Sequence, residues 1–556
     1  MNIFFRTFTA PRMPRLNLSK MGSVIFGVII VAVFYYFAHP SLNITHPFSA
    51  MCFLGLLILI YLIINNFYDD ARMRGDSAAI ARWRAITSIA TRILIGVVLL
   101  GGALFVGTTK IFHAHRYANR IAVEQVEFNN ETLSEVDFNK TPIIDRDSTQ
   151  QLGDKVMGEM PELVSQFEVS SEYTQISYKN KVYRVTPLEY AGFIKYLNNK
   201  AEGIPAYILV DSSTGKTTLV KLKDIGLSGM KYVPSALFNH NLERKLQFDY
   251  PTAIFGNPSF EIDEEGHPWY VCTTYGYFGI ANKRYVTGMI LFDPITGAST
   301  KYKLGEYPEW VDRVYPEDLI LTEIDDNGSL QKGFINSIFG QKNVMITSDG
   351  YNYLEKDGDI WIYSGITSAN SDSSNLGFVL SNLRTHETLK FSCSGANEYS
   401  AMSSAEGEVK NYGYESTFPL LINVGGNPVY LLSLKDDGGL VKNYAMVDAK
   451  DYQQVSVITA DSLKSLAQLK KNFLLSKTGD DSAGAETVEA KITVKSKTIL
   501  NVEGVSKVFI VDTNNKKYKV EVTSSNEDAL AFLSKGDTIT VQYVAYDDVN
   551  IIKSIE

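Results

Sequence analysis

Cysteine is scarce in this 556-residue chain, with three residues in all, which excludes a disulfide framework and a cysteine-ligated zinc site. Cys52 falls inside an apolar run, and nothing in the spacing of Cys272 and Cys393 requires them to pair. Histidine is nearly as rare, at seven, and none stands in an H-E-x-x-H arrangement. His113 and His115 border an apolar run, while His267 and His386 fall at hairpin turns. The chain also lacks a G-x-S-x-G elbow, a P-loop and a dinucleotide fingerprint. Asp325-Asp326-Asn327-Gly328 has neither the alternating ligands nor the terminal Glu of a calcium loop. The sequence therefore names no catalytic residue and no metal ligand, and it calls for no cofactor.

Basic charge is missing from most of the chain. Residues 1–112 carry a net charge of +7 and residues 113–556 carry −16. An acidic body argues against nucleic acid as a partner, since phosphates demand Lys and Arg, and it serves solubility.

Charge is absent altogether from three apolar runs, at about 22–38, 48–65 and 93–109. Each is long enough to cross a thin hydrocarbon layer. His39-Pro40 follows the first run where a cleaved signal would show small residues, so an uncleaved helix is expected. Arg6, Arg12, Arg15 and Lys20 precede the first run, and Arg72, Arg74, Arg82, Arg84 and Arg92 lie between the second and third. The 39–47 connection has neither Lys nor Arg. This asymmetry puts the N-terminus in the cytoplasm and residues 113–556 on the extracytoplasmic side of a cell membrane, and the simple anchor points to a bacterial envelope. Without a charge inside the runs, the helices anchor and do not conduct. Residues 68–92 read as a short basic amphipathic helix.

Past a charged stalk at 113–150 the pattern becomes strand-like, and it repeats. AYILVDSSTGKTTLVKL (206–222) matches GMILFDPITGASTKYKL (288–304) at a constant offset of 82, with Asp211/Asp293, Thr214/Thr296 and Gly215/Gly297 coinciding. Each is a hairpin in which Asp caps a tight turn and Gly supplies a left-handed residue. Another hairpin precedes each, turning at Lys179-Asn180 and at Glu265-Gly266. A third copy spans 357–367 and 377–391, with Asn382 in the Asp position, and a fourth spans 426–434 and 444–455, with Asp448 there.

In its order of polar turn, Pro268-Trp269-Tyr270-Val271 strand and apolar-D-x-x-T-G strand, this pattern resembles the PepSY-type module over roughly 170–225 and 255–305. The resemblance implies a non-catalytic role, inhibiting or regulating peptidases or other envelope partners. The D-x-x-T-G turn is also similar to that of quinoprotein-type propeller repeats.

Leu463, Leu466, Ala467, Leu469, Phe473 and Leu474 make a helical stripe behind Asp461 and Ser462 as candidate caps. Residues 476–486 read as a linker. Beyond it, strands at 488–500, 505–512, 516–522, 537–545 and 548–555, with a helix at 526–533, follow the order of an OB-like barrel.

The expected fold class is N-terminal transmembrane α-helices plus a mostly-β (α+β) extracytoplasmic domain of hairpin repeats and a C-terminal OB-like five-stranded barrel. Its divisions are an anchor at 1–112, the stalk, tandem PepSY-like repeats at 151–315, further repeats ending in a helix at 316–475, the linker, and the barrel at 487–556.

Two segments draw functional attention. Glu398, Glu406 and Glu408 sit among small residues at 392–414, where paired carboxylates would suit glycan hydrolysis and a tightly packed helix is the plainer expectation. Trp269, Tyr275, Tyr277, Phe278 and Trp310 are dense enough to form a binding face. The leading expectation is a membrane-anchored binding, scaffolding or regulatory protein that contacts lipid through three helices and acts with another envelope protein. An envelope hydrolase of glycan or peptide, and an accessory subunit of a transport complex, are the alternatives.

Overall fold

The computed structural model describes residues 20–369, 371–460, 462–478, 487–502, 505–523, 526–544 and 549–555. Arg6, Arg12, Arg15, Asp461 and the expected linker from 479 to 486 lie outside the described residues.

Three helices come first, Lys20–Ala38, Pro47–Arg74 and Ser77–Gly107, each long and apolar enough to cross a membrane. The second and third have 28 and 31 residues, about 42 and 46 Å at 1.5 Å per residue. A hydrocarbon layer is roughly 30 Å thick, so their joined ends have length to spare. That surplus replaces the separate amphipathic helix expected over 68–92. Gly75, at φ 69°, caps the second helix, and Asp76 caps the third by accepting the Ala79 N–H. The basic segment is thus the tip of a helical hairpin, with Phe67 edge-on to Trp83 at 4.9 Å.

Beyond the helices, four antiparallel sheets follow one plan. The central strands are Lys181–Tyr190, Pro268–Tyr277, Asp359–Ser368 and Asn427–Lys435. One edge of each pairs with two short strands, and the other with a long strand that pairs in turn with a last one. The third and fourth copies, faint in the sequence, share this plan because the turn chemistry persists where the residues change. Asp211, Asp293, Asn382 and Asp448 each accept backbone N–H bonds from the residues two and three positions on. Lys179-Asn180, Asp357-Gly358 and Gly425-Gly426 all have positive φ, which makes the mirror-image turn whose twist matches the strands it joins. The second sheet uses a 263–267 loop instead, with Gly266 at φ 85°.

The two D-x-x-T-G glycines differ in what surrounds them. Gly215 (φ 71°) has room, since a Cβ there would sit 3.4 Å from Leu152, whereas at Gly297 (φ 76°) it would press 2.8 Å from the Tyr232 ring. Gly215→Val should cost about 1–2 kcal/mol from the left-handed backbone alone, and Gly297→Val should cost more. Replacing the exposed Lys216 with Ala should change stability by less than ~0.5 kcal/mol. Thermal melts of the solubilised chain rank the three, and equal, negligible shifts would refute the turn assignment.

Side chains alternate across each strand, and the sheets stack in chain order by sharing cores. Ile208, Tyr270 and Phe292 join the first sheet to the second. Met289, Leu291, Ile360 and Ile362 join the second to the third, and Trp361, Tyr363, Tyr430 and Leu432 join the third to the fourth. Cys272 and Cys393 fall in different cores and are free thiols. Residues 113–150 are not a stalk. Ile121, Leu133 and Ile143 are buried, and Val123–Val126 adds a parallel strand to the third sheet. The surface charges of this segment conceal apolar residues that the stack takes up.

Helix Leu463–Thr478 buries Leu466, Leu469, Phe473 and Leu474 beside the fourth sheet and leaves Ala467 exposed. The last strands, Thr487–Val502, Val505–Asp512, Lys517–Glu521, Thr538–Val544 and Asn550–Ile555, close into a five-stranded barrel. The third and fifth run parallel, and helix Glu527–Phe532 separates the third from the fourth.

Candidate functional site

A cleft of about 760 Å³ opens where the first, third and fourth sheets meet. Its most unusual side chain is Arg184, on the first central strand. The residue across the ladder from the one before the turn Asx is Tyr270, Ile362 and Tyr430 in the later sheets, and each of these fills a shared core. In the first sheet that position, opposite Val210, is Arg184. Among the described residues no sheet precedes the first. Helix Arg146–Gly158 packs there, and the cleft takes the remaining space.

Arg184 is buried and held from three sides. Nε donates to Gln175 Oε1 (2.8 Å), and Nη1 donates to the Ile144 carbonyl (2.7 Å) and to Thr149 Oγ1 (3.0 Å). Among the described residues it forms no ion pair, and burial lowers its pKa. A buried cation without a carboxylate is costly unless something supplies the missing charge. Around it stand Tyr173, Tyr351, Tyr353 and Phe418, and the exposed Asp147, Glu415 and Asp437 form an acidic rim. Tyr353 donates to Glu317 (2.9 Å), which is itself gripped by Arg313 at 2.7 Å. Burial and the Glu317 charge hold the Tyr353 phenol well above its usual pKa, so it stays a neutral donor. At the mouth, Lys435 pairs with Asp145. The arrangement offers a buried positive floor, aromatic walls and a negative rim, suited to a polar segment that carries both signs.

Of the residues expected to form a binding face, Trp269, Tyr275, Tyr277 and Trp310 turn to one core and are covered by it, and Phe278 packs elsewhere. Tyr275 is buried in the core between the second and third sheets. Trp269 and Trp310 are half-buried, 6.2 Å apart, with the Trp269 indole N–H bonded to Asp263. Tyr277 and Phe278, at the far end of the same strand, pack beside the N-terminal helices: Tyr277 against His46, which precedes the second, and Phe278 against His113, Tyr117 and Arg116 of the short segment after the third. Aromatic density here serves packing.

The glutamates at 398–408 lie on one helix, Glu398–Glu408, capped by Asn397 and burying Ala401 and Ala405. The Glu398 carboxyl is enclosed against Gly365, where a Cβ would approach Oε1 to 2.4 Å, and burial raises its pKa. Glu406 is occupied in accepting the Ser416 N–H and hydroxyl. Eight residues separate the two, about 12 Å along a helix, beyond the spacing of a glycosidase pair. No group of three His, Cys, Asp or Glu side chains suited to a metal ion occurs among the described residues.

Arg184 was readable in the sequence as a charge in the interior of a strand whose other charges, Lys181 and Glu189, stand at its ends, but only once the four copies were in register. The chain matches no protein-family model and no curated protein.

Proposed function

We propose that this chain is a membrane-anchored, extracytoplasmic binding or regulatory protein that captures a mixed-charge segment of another envelope protein in the cleft above Arg184. The three apolar helices support membrane attachment, and the Lys and Arg bias of the segments around them supports an outward-facing domain. The resemblance to PepSY-type modules fits a regulatory role, and the barrel's strand order fits the OB-like reading, which adds a second docking module. The observation that carries the proposal is Arg184, a buried guanidinium that forms no ion pair among the described residues, at the floor of an aromatic-walled cleft.

The test is co-purification from detergent-solubilised membranes. A stoichiometric partner is expected with the wild-type chain, and its recovery should fall more than about tenfold in Arg184→Gln, since truncating one side of a buried charge pair costs roughly 2–5 kcal/mol. Tyr351→Ala should also weaken retention, because Tyr351 is exposed on the cleft wall and its loss leaves the core intact. Unchanged recovery in both folded variants would overturn the proposal.

A further inference from the structure

The outer ends of the helices are fastened to the β-rich domain by many short contacts, and exposed apolar side chains encircle those fastenings. On one side, Tyr35 near the end of the first helix stacks on Phe248 at 5.8 Å, and Tyr36 bonds to Asn239 at 3.0 Å. Arg244 caps this junction, lying 4.6 Å from the Tyr36 ring and donating Nε to its carbonyl. Phe248 therefore sits level with a residue inside a candidate span, and Phe238 beside Asn239 is exposed as well.

On the other side, Asn282 donates to the Phe105 carbonyl (2.9 Å) and to Thr108 Oγ1 (2.6 Å), at the end of the third helix. The chain turns at Thr108 and Thr109 into a short helix, Lys110–Ala118, whose Tyr117 hydroxyl bonds back to the Thr108 carbonyl at 2.7 Å. This helix buries Ala114, Tyr117 and Ala118 against Leu330 and Phe334 and leaves Ile111 and Phe112 outside. From Phe334 the chain runs into a wide helical turn, Asn336–Gly340, where Ile335 is 73% exposed and Phe339 83%, with Lys332 and Lys342 on either side.

We infer that this apolar rim, led by Phe112, Ile335 and Phe339, lies in the interfacial layer of the bilayer, so that the β-rich domain rests on the membrane and is not held clear of it. The inference rests on the proposal that the three helices span. Apolar side chains this exposed, flanked by lysines and joined directly to span ends, match the pattern of segments that bury one face at the headgroup boundary. The lysines reach past the apolar groups to the phosphate level. A lipid surface is the occupant because the rim is continuous with the helices, whose own side chains are exposed along their length.

The full chain, reconstituted in phosphatidylcholine vesicles brominated near the carbonyl end of the acyl chains, tests this with Phe339→Trp and, separately, Phe112→Trp. The fluorescence gained over the parent chain should be blue-shifted and should lose most of its intensity to the bromines. Emission at water-exposed wavelengths without quenching would overturn the inference while the spans stand. Blue-shifted emission without quenching would mean that protein, not lipid, covers the rim. A chain released from membranes by alkaline carbonate would remove the spanning proposal and this inference together.

Discussion

Replacing Gly288 or Gly377 with alanine should cost about 3 kcal/mol or more, a large loss for the addition of a single methyl group. The two glycines are equivalent, each five residues before the Asx of the turn, in the long strand beside the central one. The register of each with the central strand shifts just before it. A Cβ at Gly288 would lie 2.2 Å from the Tyr302 carbonyl oxygen, and one at Gly377 would lie 2.0 Å from that of Phe391. Both obstacles are backbone atoms of the adjoining strand, so no side-chain rotation relieves them. Gly288 also has φ 148°, a conformation that L-residues avoid. The first and fourth sheets carry Ala206 and Asn443 at this position, where a side chain fits. Ala206→Gly should therefore cost only about 1 kcal/mol. Denaturation midpoints decide the matter, and glycine variants as stable as the parent would show that the strands separate without cost.

Much of this architecture is legible in the residues, for reasons that also set its limits. The D-x-x-T-G turn is a local signal, since one carboxylate and two backbone N–H groups within four residues suffice to make it. Offsets between local signals therefore disclosed the repeats, and the paired glycines stand at the head of the aligned GMILFD and GFVLSN stretches. The barrel was legible because its strands alternate and are punctuated by polar turns. What depended on distance was not legible. Residues 113–150 looked like a stalk because their burial is supplied by sheets that come hundreds of residues later, as with Asn423, which bonds to the Leu133 carbonyl at 2.6 Å. The cleft gathers Arg184, Tyr351 and Phe418 from three sheets, and no window of sequence contains all three. The aromatic cluster at 269–278 misled for a similar reason, since Trp269, Tyr275 and Tyr277 do share one face of their strand, but a later sheet covers that face and makes it core.

As pH rises from about 4.5 to 7, one buried carboxyl pair should withdraw stability, Glu261 alone contributing about 3 kcal/mol of the loss. Glu261 and Asp312 meet where the first two sheets join the segment leading to the third. Glu261 accepts bonds from Ser259 Oγ (3.0 Å), the Asp312 N–H (2.9 Å) and the Arg313 N–H (3.3 Å), and Asp312 accepts the Ser177 N–H at 2.8 Å. Both side chains are buried. Burial pushes Glu261 up to about 7. Burial and then the Glu261 charge push Asp312 well above the usual carboxylate range. The nearby cations are committed elsewhere, Arg313 to Glu317 and Arg384 to Asp359. In the unfolded chain these carboxyls lose their protons near pH 4, whereas the folded chain retains them into the neutral range. The folded state therefore binds more protons across that window, and raising the pH favours unfolding until Glu261 has ionised in both states. Glu261→Gln removes this titration and keeps the side chain's shape, so its stability curve should lie above the parent's at pH 8 relative to their separation at pH 5. Asp312→Asn should flatten the curve in the same direction. The measurement is the denaturation free energy of parent and variants at intervals between pH 4.5 and 8. Curves that stay parallel throughout would mean that the pair is ionised in the folded chain and contributes no pH dependence.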